Sequence, residues 1–437
     1  MKETVLQFGE GNFLRAFADM FIDSMNKSSL YDGRAVIVKP TSRGSFDAFT
    51  AQGCRYTLVT RGTGVYERET VECVSRIVSP YTDYEGFLAL ALIPELRFVI
   101  SNTTEAGIVF DPACRFDDAP PDSFPGKVAV FLYRRWKAGL PGLVFLPCEL
   151  IDDNGRELKN FVLKYVHLWG LPAEFSEWIN LENEFCDTLV DRIVTGYSAD
   201  EAAKLKAQTG FDDRLLDTCE PYHLWVIEGD HEDELPLKKA GFNVIWTDDV
   251  KPYKKRKVRV LNGAHTSLVF PAMLAGLATV DECLSDPLLE RYLKSCLYGE
   301  ILEALGKTDD NIAFAGDVLT RFSNPYLSHR LRAISLNSVS KFTARVLPSI
   351  IDYETISGAP PRLLVFALAA LIRYYKTETP DDSERAVSLI KGGCTAEILG
   401  NAELWGCDLT RLLPEVENDL NVIAGRGIRE ALEWILR

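Results

Sequence analysis

Lys257, Asn262 and His265, in the run Lys257-Val-Arg-Val-Leu-Asn262-Gly-Ala-His265, place an amine, an amide and an imidazole at offsets of five and three. A lysine whose pKa is lowered by burial can move a proton, and an amide can hold a developing oxyanion. Together they suit removal of a hydride from an alcohol carbon without a metal. The stretch reads as helix. At about 100° per residue, Asn262 lies roughly 140° and His265 roughly 80° around from Lys257, so all three share one broad face. The alternative is that Lys257 closes the basic run Lys254-Lys255-Arg256-Lys257 on a solvated surface. Choosing between the two requires a cofactor and a substrate from elsewhere in the chain.

The run Gly9-Glu-Gly11-Asn12-Phe13-Leu-Arg15-Ala16 follows the first apolar strand and opens the first helix. A glycine pair in that position lets the backbone approach a pyrophosphate at a helix N-terminus. Leu14 stands where the third glycine of the usual dinucleotide fingerprint would be, so a plain tight turn is the competing reading. The second strand ends Val38-Lys39-Pro-Thr-Ser-Arg43, without the carboxylate that usually meets a ribose 2′-hydroxyl. Lys39 and Arg43 would accept a 2′-phosphate or simply be solvated, which leaves NADP open beside NAD. Ser101-Asn102-Thr103-Thr104-Glu105 ends a further strand and either lines the cofactor cleft or caps the next turn.

Asn154-Gly155 offers an amide to the same cleft or makes an Asn-Gly turn, and Asp191-Arg192 beside an apolar run reads equally as a structural ion pair. Further on come Arg321, His329, Arg330, Asn337 and Lys341, the spacings of eight and four placing His329, Asn337 and Lys341 on one side of a single helix. A cationic, hydrogen-bonding helix face suits a sugar-acid carboxylate and its hydroxyls, and reads equally as a solvated surface.

Short apolar runs at 5–8, 35–38, 98–101 and 143–146 read as buried parallel strands, and 12–26 as the amphipathic helix of a βαβ unit. Residues 56–60 and 70–74 read as an added hairpin, and 223–227 and 243–246 as later strands. After Trp246 the alternation ends, and 258–278, 287–305, 317–322, 327–346, 362–377 and 381–390 read as helices. The fold class is therefore α/β: an N-terminal Rossmann-like, doubly wound domain over 1–247, followed by an all-helical C-terminal domain over 248–437. The chain has 437 residues, a length that itself implies two domains. A formal net charge of -15 argues against nucleic acid or an anionic membrane as partner. The ten cysteines are scattered without metal-ligand spacing, which gives no metal site and points to a reducing cytoplasm. The expected form is a monomer or small homo-oligomer acting on a small molecule.

Taken together, the GxGxFxRA start, Asn102-Thr-Thr-Glu105, Asn154-Gly155, Val190-Asp-Arg-Ile193, Glu220-Pro-Tyr-His-Leu-Trp-Val-Ile-Glu228 and above all Lys257-x4-Asn262-x2-His265 resemble the mannitol dehydrogenase family of polyol-specific long-chain dehydrogenases. The resemblance runs from Gln7 to at least Pro348. It implies Lys257 as general base for alcohol oxidation, Asn262 and Asn154 on the oxyanion, and His265 orienting a substrate hydroxyl. It also implies Asp191 and Lys341 against the polyol, Gly9, Gly11, Phe13 and Arg15 on the dinucleotide, NAD as the usual cofactor, and no metal. Cys148-Glu149 and Asn337-Ser338 depart from the mannitol branch and argue against mannitol itself as substrate.

Overall fold

Successive side chains along the first strands enter two different cores. Val5, Ala35, Ile37, Phe98 and Ile100 face one, and Leu6, Val36, Val38 and Val99 face the other. Burial on both faces is what a parallel sheet covered by helices requires, and it makes these segments unbroken apolar runs. The computed structural model describes Met1–Arg437 apart from Glu105, Gly210 and Ser328 and the side chains of Gln208 and Thr209. The predicted cofactor residue Glu105 therefore lies outside the described residues.

The chain divides into two units, Met1–Val250 and Lys251–Arg437. The described strands of the first unit are β1 (Lys2–Phe8), β2 (Gly33–Val38), β3 (Tyr56–Gly62), β4 (Val65–Val71), β5 (Val74–Val78), β6 (Phe98–Ser101), β7 (Val144–Pro147), β8 (Glu184–Phe185), β9 (Thr188–Asp191), β10 (Asp217–Cys219), β11 (Leu224–Glu228) and β12 (Val244–Thr247). The central sheet runs β5-β2-β1-β6-β7-β8, all parallel. Its order reverses between β1 and β6, the switch point at which doubly wound sheets bind ligands. Strands β3 and β4 form a hairpin, but its second strand is Val65–Val71 in place of the expected 70–74, because Val74 opens β5 of the central sheet. Strand β10 is added alongside β3, and β9, β11 and β12 make a third small sheet.

The amphipathic segment after β1 is interrupted. Helix Asn12–Arg15 ends, and a second helix begins at Ala18. Tyr56 donates its hydroxyl to Arg15 O at 2.8 Å, and Arg192 donates Nη1 to Ala16 O at 2.7 Å. Side chains from distant segments thus occupy two carbonyls at the break.

Among its described residues the second unit has no β-strand, only a bridge between Thr279 and Arg330. Helix Gly263–Leu274 is apolar nearly all round and packs on helix Arg362–Thr377, itself largely buried. Two predicted helices contain a π turn, at Val258–Asn262 and at Leu297–Ile301. The predicted helix over 317–322 is longer, Asp309–Phe322, because Thr308 accepts Asn311 N–H at 3.2 Å and caps it. The single helix expected over 327–346 is a correction. It consists of Leu331–Ile334 and Ser338–Arg345, separated where Asn337 takes φ 52. Asparagine tolerates that left-handed conformation, and a continuous helix cannot contain it. No helix among the described residues is long and apolar enough to cross a membrane.

Candidate active site

Gly9 sits at the switch point with φ +122, and a Cβ built there would lie 2.8 Å from the backbone oxygen of Asn102. Only glycine supplies both that conformation and that approach of the β1 and β6 ends. Gly11 faces open space, with nothing within 4 Å of a Cβ. This is a backbone cradle at the carboxyl edge of a parallel sheet, and it fits a dinucleotide. Asn12 and Phe13 begin the helix beyond it, exposed and half-buried respectively, with the Phe13 ring stacked on Phe17 at 5.0 Å. Arg15 is buried. It donates to Leu215 O and to Asn12 Oδ1 at 2.6 Å, and it lies 3.7 Å from Asp217, so its guanidinium anchors the turn to the segment 215–217.

Lys39 is 2% exposed, its ammonium engaged by Thr41 O at 2.9 Å and by Arg43 O, with Glu10 at 3.6 Å. It closes its own loop. The carboxylate that the second strand lacks in sequence is thus brought to that place by the glycine turn.

The β6 end is tied to the β7 end through Glu149. Its carboxylate accepts Ser101 Oγ at 2.9 Å and both Thr103 N–H and Thr103 Oγ1 at 2.8 Å, while Asn102 Nδ2 reaches Cys148 O at 2.8 Å. Burial pushes the Glu149 carboxyl up, against the pull of those bonds. Thr104, at φ 70, stays exposed on the rim. Asn154 is 1% exposed and its amide is fully engaged within the first unit. Nδ2 donates to Pro147 O, Glu149 O and Thr188 O at 2.9, 3.0 and 3.2 Å, and Oδ1 accepts from Gly155 and Thr188 N–H. Asp191 ends β9 in a buried position, while Arg192 beside it donates to Glu220 O and Ala16 O.

In the second unit the π turn revises the geometry of the lysine motif. Gly263 N–H bonds to Val258 O, an i→i+5 ring that holds one residue more than an α turn. With that residue absorbed, Asn262 and His265 stand to Lys257 as residues four and seven apart would in an α-helix, roughly 40° and 20° to either side. The three side chains share a narrower face than α geometry gives them, with Lys257 and Asn262 half-buried and His265 buried.

The His265 ring stacks on Phe322 with centroids 4.0 Å apart and meets His329 edge-on at 5.2 Å. Burial first, and then His329, Arg321 and Arg345, hold its pKa well below the usual histidine value. The imidazole is neutral, and its buried Nε2 has no hydrogen-bond partner within the protein. Burial also lowers His329 and Arg345.

The predicted cationic helix face is not one face. His329 precedes the first short helix, Arg330 is exposed at its start, Asn337 is exposed at the break, and Lys341 lies in the second helix, donating to Ile334 O at 2.9 Å. What surrounds His265 is instead Arg321, Phe322, His329 and Arg345. Sequence reasoning did not single out Phe322 or Arg345. A cation four residues beyond Lys341 was the available signal for Arg345. A cavity of about 640 Å³ beside Glu290, Lys294, Tyr298, Glu300 and Tyr353 includes none of these residues.

A glycine turn on a Rossmann-like sheet followed by a helical unit is the layout of a dehydrogenase, and the chain belongs to the mannitol dehydrogenase family of oxidoreductases acting on secondary alcohols. The mannitol dehydrogenase Rossmann domain matches residues 3–239 and the mannitol dehydrogenase C-terminal domain matches residues 249–422. It is 41% identical to the altronate oxidoreductase of Escherichia coli O17:K52:H18 (strain UMN026 / ExPEC), over 98% of this chain and 96% of that one. It is also 41% identical to the altronate oxidoreductase of Klebsiella pneumoniae (strain 342), over 99% and 96%. Its fold is similar to substrate-free D-sorbitol dehydrogenase (TM-score 0.86, 24% identity, 99% of this chain and 95% of that one). A second similar structure is Pseudomonas fluorescens mannitol 2-dehydrogenase in ternary complex with NAD and D-mannitol (TM-score 0.73, 23% identity, 100% and 94%).

Proposed function

We propose that this chain interconverts D-tagaturonate and D-altronate with NAD, Lys257 acting as the general acid and base. The observation that supports the chemistry is the π turn at Val258–Asn262, whose extra residue brings the angular positions of Lys257, Asn262 and His265 closer than an α-helix would. The substrate is drawn from the two altronate oxidoreductases that match nearly end to end. When bound, NAD supplies or accepts the hydride at its nicotinamide ring.

The chain's own residues would handle the rest. Gly9 and Gly11 admit the pyrophosphate, and Asn102 and Glu149 fix the strand ends beside it. In the reductive direction Lys257 gives its proton to the carbonyl oxygen as negative charge develops there, and Asn262 donates a hydrogen bond to that oxygen. His265 Nε2 takes a substrate hydroxyl, and the cations Arg321, Arg345 and Lys341 favour a carboxylate. Asp191 would contact the polyol chain. Asn154 acts within the first unit, holding the β7 and β9 ends together. The ten unpaired thiols support a reducing, cytoplasmic setting.

A spectrophotometric NADH screen against tagaturonate, fructuronate, fructose and fructose 6-phosphate tests the substrate. Tagaturonate should turn over with the highest kcat/KM. Preference for fructuronate would make the chain a mannonate oxidoreductase, and preference for fructose a mannitol- or arabinitol-type dehydrogenase. The Lys257→Ala variant should lose most turnover and still bind NADH, whereas undiminished turnover would remove Lys257 from the mechanism.

A further inference from the structure

Glu184, Cys186 and His231 converge at the edge of the central sheet, with one ligand atom from each lying within 4.8 Å of the other two. Glu184 and Cys186 are two residues apart on and just beyond β8, so the strand's period of two points both side chains the same way. That segment is held in register by Glu184 N–H to Leu143 O and Cys186 N–H to Phe145 O, each 3.0 Å. His231 arrives from the loop after β11.

The imidazole is oriented as a ligand would be. Its Nδ1 lies 3.5 Å from Glu234 Oε1, and Glu234 is gripped by Arg97 through bonds of 2.6 and 2.8 Å. Glu234 would accept the ring proton at Nδ1 when a metal takes the other nitrogen. That other nitrogen, Nε2, is buried, forms no hydrogen bond, and stands 3.2 Å from Glu184 Oε2. His231 is 8% exposed and Cys186 3%, whereas Glu184 is half in solvent, which gives an entry path.

Space is also reserved among the three. Gly229 has φ +94, and a Cβ built on it would stand 2.9 Å from Glu184 Oε1, 3.7 Å from His231 Nε2 and 3.9 Å from Cys186 Sγ. Tetrahedral zinc, with bonds of about 2.0–2.3 Å, sets its donors roughly 3.3–3.8 Å apart, so a small contraction of the cluster closes the site.

We propose that Glu184, Cys186 and His231 bind a divalent cation of the zinc class, with Glu234 and Arg97 as the outer pair that orients the histidine. A thiolate, an imidazole and a carboxylate are the donors that borderline-soft zinc takes, and calcium or magnesium would not select them. As the metal–sulfur bond forms, the thiol proton leaves to solvent. The ion would join β8 to the 229–235 loop within the first unit and takes no part in hydride transfer.

The test uses the full chain, stripped with a chelator and titrated with Co²⁺. One equivalent should bind with a thiolate-to-cobalt charge-transfer band, and Zn²⁺ should displace it. Cys186→Ser should abolish the band, and His231→Gln and Glu184→Gln should each weaken binding at least tenfold. Zn²⁺ should raise the Tm of the parent protein and leave that of His231→Gln unmoved. No charge-transfer band in the parent protein overturns the proposal. So does a band that persists in Cys186→Ser, which would assign the cobalt to a surface thiol such as Cys394.

Discussion

The imidazole of His265 lies flat on the ring of Phe322, centroids 4.0 Å apart and planes 13° from parallel. The stack fixes the ring's tilt without using either nitrogen, so the polar edge stays available for a ligand while the apolar face is packed. His265→Phe should therefore keep the packing and remove the hydrogen bond. The expected loss in kcat/KM is about 10–100-fold, roughly 1.4–2.8 kcal/mol, with Tm little changed. Steady-state kinetics together with thermal melts check this, and an unchanged kcat/KM would take His265 out of the site.

The contact of Gly9 with the carbonyl of Asn102 leaves no room for a methyl group. Gly9→Ala meets both a strained φ and an overlap with backbone that cannot swing aside. It should destabilise the fold by about 1–3 kcal/mol and weaken NADH binding more than tenfold. Fluorescence titration with NADH at a temperature where the variant is folded separates the two effects. Wild-type affinity there would mean that the turn is a structural bend only.

Lys39 holds its own loop with Glu10 beside it. A 2′-phosphate would have to compete with two carbonyls for that ammonium and stand near a carboxylate. NADPH should therefore be at least about tenfold poorer than NADH in kcat/KM, and Glu10→Ala should narrow the gap. Equal use of both cofactors by the parent enzyme would contradict this.

The Glu300 carboxylate accepts Leu363 and Leu364 N–H at 2.8 Å each, but burial outweighs those bonds and pushes its pKa from 4.5 to about 7. An acid raised in the folded state binds more protons there than in the unfolded chain between those two values. Its contribution to stability is thus full below about pH 4.5, declines as pH rises to about 7, and is flat above, a change of at most about 3 kcal/mol. Asp19 and Asp419, also pushed to about 7 by burial, act with the same sign. Glu300→Gln removes one of the three, so thermal melts from about pH 5 to 7.5 should show a shallower fall than in the parent. Equal slopes would show that Glu300 titrates as an ordinary carboxyl.

The βαβ start and the central strands were legible because strands buried on both faces must be continuous apolar runs, and Val5–Phe8 or Phe98–Ser101 leave no other reading. The lysine motif was legible by residue type but misplaced in angle. Nothing in Val-Arg-Val-Leu-Asn distinguishes an i→i+5 ring from an i→i+4 one, since the choice is made by packing on both sides. The helix over 327–346 failed at Asn337, whose side chain suits a helix poorly but does not forbid it. The engagement of Lys39 depends on carbonyls two and four residues ahead, and that of Asn154 on Thr188, 34 residues away. Such bonds are set by the path of the backbone, which residue types alone do not give.

The interruption between Arg15 and Ala18 has a further consequence for motion. Because Tyr56 and Arg192 hold the carbonyls of Arg15 and Ala16, the glycine turn with its four-residue helix shares few backbone bonds with the longer helix Ala18–Lys27. What ties the turn to the core is therefore side chains from β3, from Arg192 and from the 215–217 segment, so the turn moves only as those segments do. In hydrogen exchange, protection would run from Arg15 through Ala18 without a step, and loosening Tyr56 or Arg192 would lower it on both sides of the break together.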